Sequence, residues 1–243
     1  MSNNKLYEKI LDMFDEYYKD REDKDDVDMP GLYYVDEISK KKVLFIGINP
    51  SFNKEAIKKV LKDSSYKDID VESYFKLGNR ENVDLEIYNF IGRRLKKSMD
   101  YFKRCGELAK HIELEDDWQS VDLFYMSEVE QEKVKKHIYG KKKVLTKFAI
   151  EQLKITKEAI KKANPEIIIV INALASDIIK GNFEVSEFDE SIGTYIININ
   201  DKKVPILFSS MLSGQRALDK GSFERLKWHC KMIVNGNFTV KNE

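Results

Sequence analysis

Polar side chains cluster at the ends of apolar runs in this 243-residue chain. The run "KVLFIGI" passes straight into Asn49-Pro50-Ser51-Phe52, which supplies an amide, a rigid imino acid, a hydroxyl and an aromatic ring. "SVDLFYM" carries Asp122 and leads to Ser127, "EIIIVINA" carries Asn172, and "KKVPILFSS" leads into Met211-Leu212-Ser213 with Arg216 and Lys220 beyond. An amide can orient a water molecule but is a poor base, whereas a carboxylate accepts only, unless it holds a proton. Other chemistries lack their residues. There is no GxxxxGK[ST] phosphate loop and no GxGxxG after a strand. The G-x-S-x-G nucleophile elbow is also missing. His111, His137 and His229 show no metal-ligand spacing, and neither do Cys105 and Cys230, so no metal or cofactor is expected.

The elements that must position these residues alternate. Leu6, Ile10, Met13, Phe14 and Tyr17 recur at helical spacing. The acidic stretch after them ends at Pro30-Gly31 and reads as a linker, so residues 1–30 are expected to form a helical extension and residues 31–243 the main domain. "KVLFIGI" predicts a strand covered on both faces. Ser51 or Asn53 is expected to cap a helix near Lys54 to Lys62. One helix is expected over "DLEIYNFIGRRLKKSMDYF", a strand at "SVDLFYM", a helix over "VLTKFAIEQLKITKEAIKKA" and a strand at "EIIIVINA". "TYIININ" and "KKVPILFSS" predict strands about an Asn200-Asp201 turn, and a last helix is expected to start at a Ser222 cap. Strands alternating with helices predict an α/β class, a three-layer α/β/α sandwich with a mostly parallel central sheet. Ligands in such sheets gather at the carboxyl ends of the strands, where the polar residues above lie.

Composition narrows the partners. Apolar residues make up 42% of the chain and charged residues 35%, with Lys+Arg and Asp+Glu equal at 42. A net charge of zero leaves any nucleic-acid contact to local clusters such as "GRRLKKSMDYFKR" and "KVKKHIYGKKK". The first residues are polar, and no apolar run approaches the ~20 residues that span a bilayer, so a cytoplasmic protein with no membrane partner is expected.

"GINPS" after a strand resembles the first motif of the uracil-DNA glycosylase superfamily, in its mismatch-specific branch. "FSSMLSGQRALDKGSFERLKWH" is similar to the segment after that superfamily's last strand. Aligned without gaps, Ser210 and Ser213 take the motif serines, Leu212 the intercalating leucine, and Phe208 the histidine position. The resemblance spans roughly Lys42 to His229. It implies that Asn49 holds the attacking water, Pro50 stiffens the turn and Phe52 stacks on the base. Ser51, Ser210 and Ser213 would bind phosphates, Leu212 would wedge into the base stack, and Arg216 and Lys220 would meet the backbone charge. Asp122 falls where the family's base-reading asparagine stands, which suits a cytosine-like or modified base, and Asn172 is a second possible reader. Phe208 cannot donate a hydrogen bond to a leaving base.

The resemblance therefore implies hydrolysis of the bond between a damaged, mismatched or modified base and its sugar, with DNA as partner and no obligate protein partner. Two alternatives stay open: a non-catalytic nucleic-acid-binding module, and a nucleoside or nucleotide hydrolase on the same fold.

Overall fold

Continuous β-branched and aromatic runs make the sheet. The structure, a computed structural model, describes residues 3–22, 27–31, 38–51, 53–214 and 216–236. Five strands form one sheet in the order β2-β1-β3-β5-β4. They are β1 (Val43–Gly47), β2 (Trp118–Asp122), β3 (Ile167–Val170), β4 (Tyr195–Ile199) and β5 (Lys202–Phe208). Every residue of β1 and β3 is buried, as expected of strands covered on both faces. β1 pairs in parallel with β3, and β3 with β5, while β4 is antiparallel to β5. The fold is thus mixed α/β with a mostly parallel central sheet, the class the alternation implies.

The β4–β5 hairpin turns on Asn200 and Asp201, both at positive φ (49° and 62°), the conformation of a two-residue hairpin turn matched to strand twist. Pro205 is tolerated in β5 because pairing with β3 begins one residue later, at Ile206.

Nine α-helices occur among the described residues: α1 (Asn3–Tyr18), α2 (Lys54–Leu61), α3 (Val71–Tyr74), α4 (Leu85–Ser98), α5 (Asp100–His111), α6 (Gln131–Ile138), α7 (Lys147–Ala163), α8 (Ala173–Asn182) and α9 (Lys220–Val234). Three expectations change. The single helix expected after Asp84 is two, broken at Met99, which is extended (φ −76°, ψ 133°). Lys96 and Lys97 end α4 and Asp100 begins α5, so each terminus carries the charge its dipole favours. The cap of α9 is Asp219, which accepts from the Ser222 N–H at 2.9 Å, and not Ser222. The strand at "SVDLFYM" stops at Asp122, and Leu123 to Met126 leave the ladder. Asn53 is the cap of α2, accepting from the Ala56 N–H.

The chain divides into two compact units that it visits alternately. One comprises Ser39–Ile48, Met99–Val121 and Lys157–Glu243, and it holds the sheet. In it Val43, Phe45, Ile167, Ile169 and Leu207 share a buried cluster with Leu108 of α5 and Phe223 and Cys230 of α9. Burial pushes the Cys230 thiol up to about 12, so it packs as an apolar group.

The other unit comprises Met1–Ile38, Asn49–Ser98 and Asp122–Thr156. The helical extension expected over residues 1–30 is built into it. Tyr17 of α1 stacks on Phe148 with ring centroids 3.8 Å apart, Tyr7 donates to Asn89 Oδ1, and Arg80 pairs with Asp12 and Asp15.

Candidate functional site

Asn49 is the first residue after β1 to enter the second unit, and its side chain ties that unit's loops together. Its Nδ2 lies 2.9 Å from the carbonyl oxygens of Pro50 and Met126 and 2.8 Å from that of Glu128. Carbonyls only accept, so three of them around one atom fix that atom as the amide nitrogen. Oδ1 makes no hydrogen bond among the described residues and is the free acceptor of the group.

Two more bonds complete the knot. The Gly31 N–H donates to the Tyr125 carbonyl at 2.8 Å, and Ser127 Oγ donates to the Met29 carbonyl at 2.6 Å. Pro50 is buried, and a Cβ on Gly31 would stand 2.2 Å from its Cγ. Gly31 therefore covers that face of the ring, and Pro50 packs there. Ser51 follows, half-buried, with its carbonyl accepting from Asn53 N–H. Phe52 lies outside the described residues.

The segment that leaves β2 is held by α7. Gln152 Oε1 accepts from the Tyr125 N–H at 2.8 Å, and Thr156 Oγ1 lies 3.2 and 3.1 Å from the Asp122 and Leu123 carbonyls. Both side chains are fully buried and replace a missing strand partner. Nothing in a helical "FAIEQLKIT" distinguishes them from core polar residues in advance.

Asp122 itself faces an unusual balance. Burial raises its carboxyl to about 7, against the opposing pull of Lys96. Burial likewise lowers the Lys96 ammonium to about 8, opposed by Asp122. Near neutral pH Asp122 can therefore hold or release a proton, so it can donate as well as accept. Linkage gives the sign. Between the ordinary aspartate value and about 7, folded Asp122 binds more proton than unfolded, so stability falls as pH rises through that window. Between about 8 and the ordinary lysine value the unfolded chain binds more proton, so stability rises again. Urea denaturation across pH 4 to 10 is expected to show a minimum between these windows, and Asp122→Asn is expected to remove the fall on the acid side. An Asp122→Asn profile that parallels the wild type would overturn the assignment.

The remaining predicted residues belong to the sheet unit. Asn172 caps α8: its Oδ1 accepts from the Ala175 N–H at 3.1 Å, so one acceptor position of the amide is already engaged. Phe208 ends β5, with Lys180 Nζ 4.5 Å from its ring centroid and equally far from that of Tyr195. A cation over two rings occupies the π-face that a base could use. Beside it Ser209, Ser210, Ala173, Ser176 and Ser222 line an open pocket of about 460 Å³. Ser210 is exposed and Ser213 half-buried. Arg216 and Lys220 are exposed. Lys220 opens α9 directly after the Asp219 carboxylate, which already occupies the helix N-terminus that a phosphate would seek.

Leu212 is the clear correction. It is 3% exposed and belongs to the buried cluster with Phe223 and Cys230, so it cannot wedge into a base stack. The exposed apolar residue of this loop is its neighbour Met211, 36% exposed. His229 packs in its own unit, its Nε2 2.7 Å from the Ile192 carbonyl. Lys141, Lys142 and Lys143 are exposed, the last two at positive φ. Among the described residues no helix is long and apolar enough to cross a membrane. Compared with known proteins, the chain matches no family model and no curated relative.

Proposed function

We propose that the protein hydrolyses the N-glycosidic bond of a base in DNA, with Asn49 as the residue that orients the water. The carrying observation is the Asn49 amide: three carbonyls hold its nitrogen, and the free Oδ1 is left as a fixed acceptor for a water proton. The water oxygen would add to the sugar carbon as the bond to the base nitrogen breaks, and the departing base would carry away the bonding pair and take up the proton that the water gives up. An acceptor fixed beforehand spends nothing on reorganisation as the sugar becomes cationic. Asp122, able to keep a proton near neutral pH, suits a base that presents a ring nitrogen for protonation. The resemblance of "GINPS" to the glycosylase motif points the same way.

A second reading, a nucleoside or nucleotide hydrolase, is favoured by Leu212. A buried leucine supplies no wedge to hold open a duplex, so a base already out of the stack is the easier substrate. Single-stranded and duplex oligonucleotides carrying uracil, mismatched thymine, hypoxanthine or modified cytosines, together with the matching nucleosides, would separate the readings. Base release is read by alkaline strand cleavage and by chromatography of the free base. Release from oligonucleotides, faster from single strands and lost in Asn49→Ala, is expected. Release only from nucleosides selects the second reading, salt-sensitive binding without release selects a non-catalytic DNA binder, and no release from any substrate sinks the hydrolase.

A further inference from the structure

The turn between α6 and α7 is held stiff at its base and charged at its tip. Gly140 N–H donates to the Val144 carbonyl and Thr146 N–H to the Ile138 carbonyl, each at 2.8 Å. Thr146 Oγ1 donates to the His137 carbonyl at 2.9 Å and accepts from the Ala149 N–H at 3.2 Å, so one residue ties the end of α6 to the start of α7. Between these ties lie Lys141, Lys142 and Lys143, all exposed.

The backbone of the tip is strained. Lys142 (φ 62°, ψ 21°) and Lys143 (φ 57°) are both left-handed. A Cβ there crowds the following carbonyl, and glycine would adopt the conformation at lower cost. Lysine at both positions gives up stability for two exposed charges, and strain of this kind marks a use for the side chain.

The charge is a separate observation. No acidic residue stands between Glu132 and Glu151. Lys133 and Lys135 pair with Glu130 and Glu132, at 3.1 and 2.7 Å. Lys136, Lys141, Lys142 and Lys143 have no ion pair among the described residues. Like charges on a stiff turn are relieved by anions set at intervals, as phosphates are along a nucleic-acid strand. A bilayer surface fits less well. Val144, 63% exposed, is a single aliphatic side chain and offers little apolar area for insertion.

We propose that the Lys141–Lys143 turn, with Lys136, docks the phosphate backbone of a nucleic-acid strand and does so by charge, without reading sequence. The nucleic-acid partner is that of the proposed hydrolysis, on which this assignment rests, and the turn belongs to the same unit as Asn49. Each ammonium that meets a phosphate releases a condensed counterion, so binding weakens as salt rises.

The test uses the whole chain with a fluorescent single strand and a duplex of ordinary bases, so that binding is read without base release. Between about 50 and 200 mM salt, Lys141→Gln/Lys142→Gln/Lys143→Gln is expected to bind at least tenfold more weakly. Its slope of log affinity against log salt is expected to flatten by about 2–3. Lys40→Gln/Lys161→Gln/Lys202→Gln removes the same charge from exposed positions of the sheet unit and is expected to lose about threefold at most. Lys142→Gly/Lys143→Gly sets the two observations against each other: its melting temperature should equal or exceed that of the wild type while its binding weakens. A turn without this role would leave binding unchanged in that variant, which decides the matter even if the glutamine variant fails to fold. No binding of the wild type to either strand, an equal loss in the sheet-unit variant, or an unchanged salt slope would overturn the assignment. So would a turn-dependent affinity for phosphatidylserine vesicles that strand binding does not share. Strand binding that depends on the turn, with no base release from any substrate, keeps this site and removes the hydrolase. Base release from nucleosides without such strand binding does the reverse.

Discussion

Asn49→Asp is expected to damage the protein more than Asn49→Ala, although a carboxylate is the better base. The two side chains are nearly identical in shape, so the difference is electrostatic. In the wild type Nδ2 gives its protons to carbonyls 2.8–2.9 Å away. An ionised carboxylate would set a lone pair against three more. Asn49→Ala leaves those carbonyls without this donor, at about 1–3 kcal/mol for a buried group left unsatisfied. Asn49→Asp adds repulsion to that loss whenever the carboxyl is ionised. The carbonyls therefore raise the new carboxyl above its ordinary value of about 3.9. A raised acid binds its proton more tightly in the folded state, so the stability of Asn49→Asp falls as pH rises above about 4. Urea denaturation at pH 4.5, 6 and 8 checks this: Asn49→Asp should approach the wild type at the lowest pH and drop below Asn49→Ala at the highest. Wild-type stability for Asn49→Asp at pH 8 would mean that Nδ2 does not hold the loop. The free Oδ1 would then lose its status as a fixed acceptor.

The contrast shows which parts of the molecule the chain announces. β1 and β3 are legible because burial on both faces selects apolar, β-branched residues in unbroken runs, while β5 is buried only over Val204–Leu207 and is read from that shorter stretch. Asn200-Asp201 is legible because left-handed φ favours those residue types. Asn49 could be singled out as a polar residue at a strand end, but its work could not. Its partners are backbone carbonyls of residues 126 and 128, which any side chain would supply. Leu212 was misplaced for the opposite reason: an ungapped alignment fixes the order of residues but not which of Met211 and Leu212 points inward. The break at Met99 was written in the charges on either side of it, yet the helical periodicity runs through the break and masks it.

Gly31→Ala is expected to be the most damaging single-methyl change in the Asn49 unit. The added Cβ would stand 2.2 Å from Pro50 Cγ and 2.5 Å from Pro50 Cβ, well inside van der Waals contact. A proline ring cannot rotate away, since its φ is locked and its atoms are tied to the main chain. The 29–31 segment must therefore move, and with it the Gly31 N–H bond to Tyr125 and the Ser127 bond to Met29. Overpacking of this kind costs about 1–3 kcal/mol. Near the upper end, that lowers the melting temperature by about 6–12 °C in a chain of this size. A double-mutant cycle distinguishes the contact from a general effect of alanine. Pro50→Ala removes Cγ but leaves Cβ, so it should relieve Gly31→Ala only in part. Pro50→Gly removes both and should relieve it further, with its own backbone cost measured in the single variant. Additive losses in both cycles would show that Gly31 is needed for its backbone conformation and not for its approach to Pro50. Strong coupling would mean that the turn after β1 keeps its shape because a segment from before the sheet is pressed against it. The Asn49 amide would then be held from both sides, by carbonyls at its nitrogen and by the Gly31 contact at the residue that follows it.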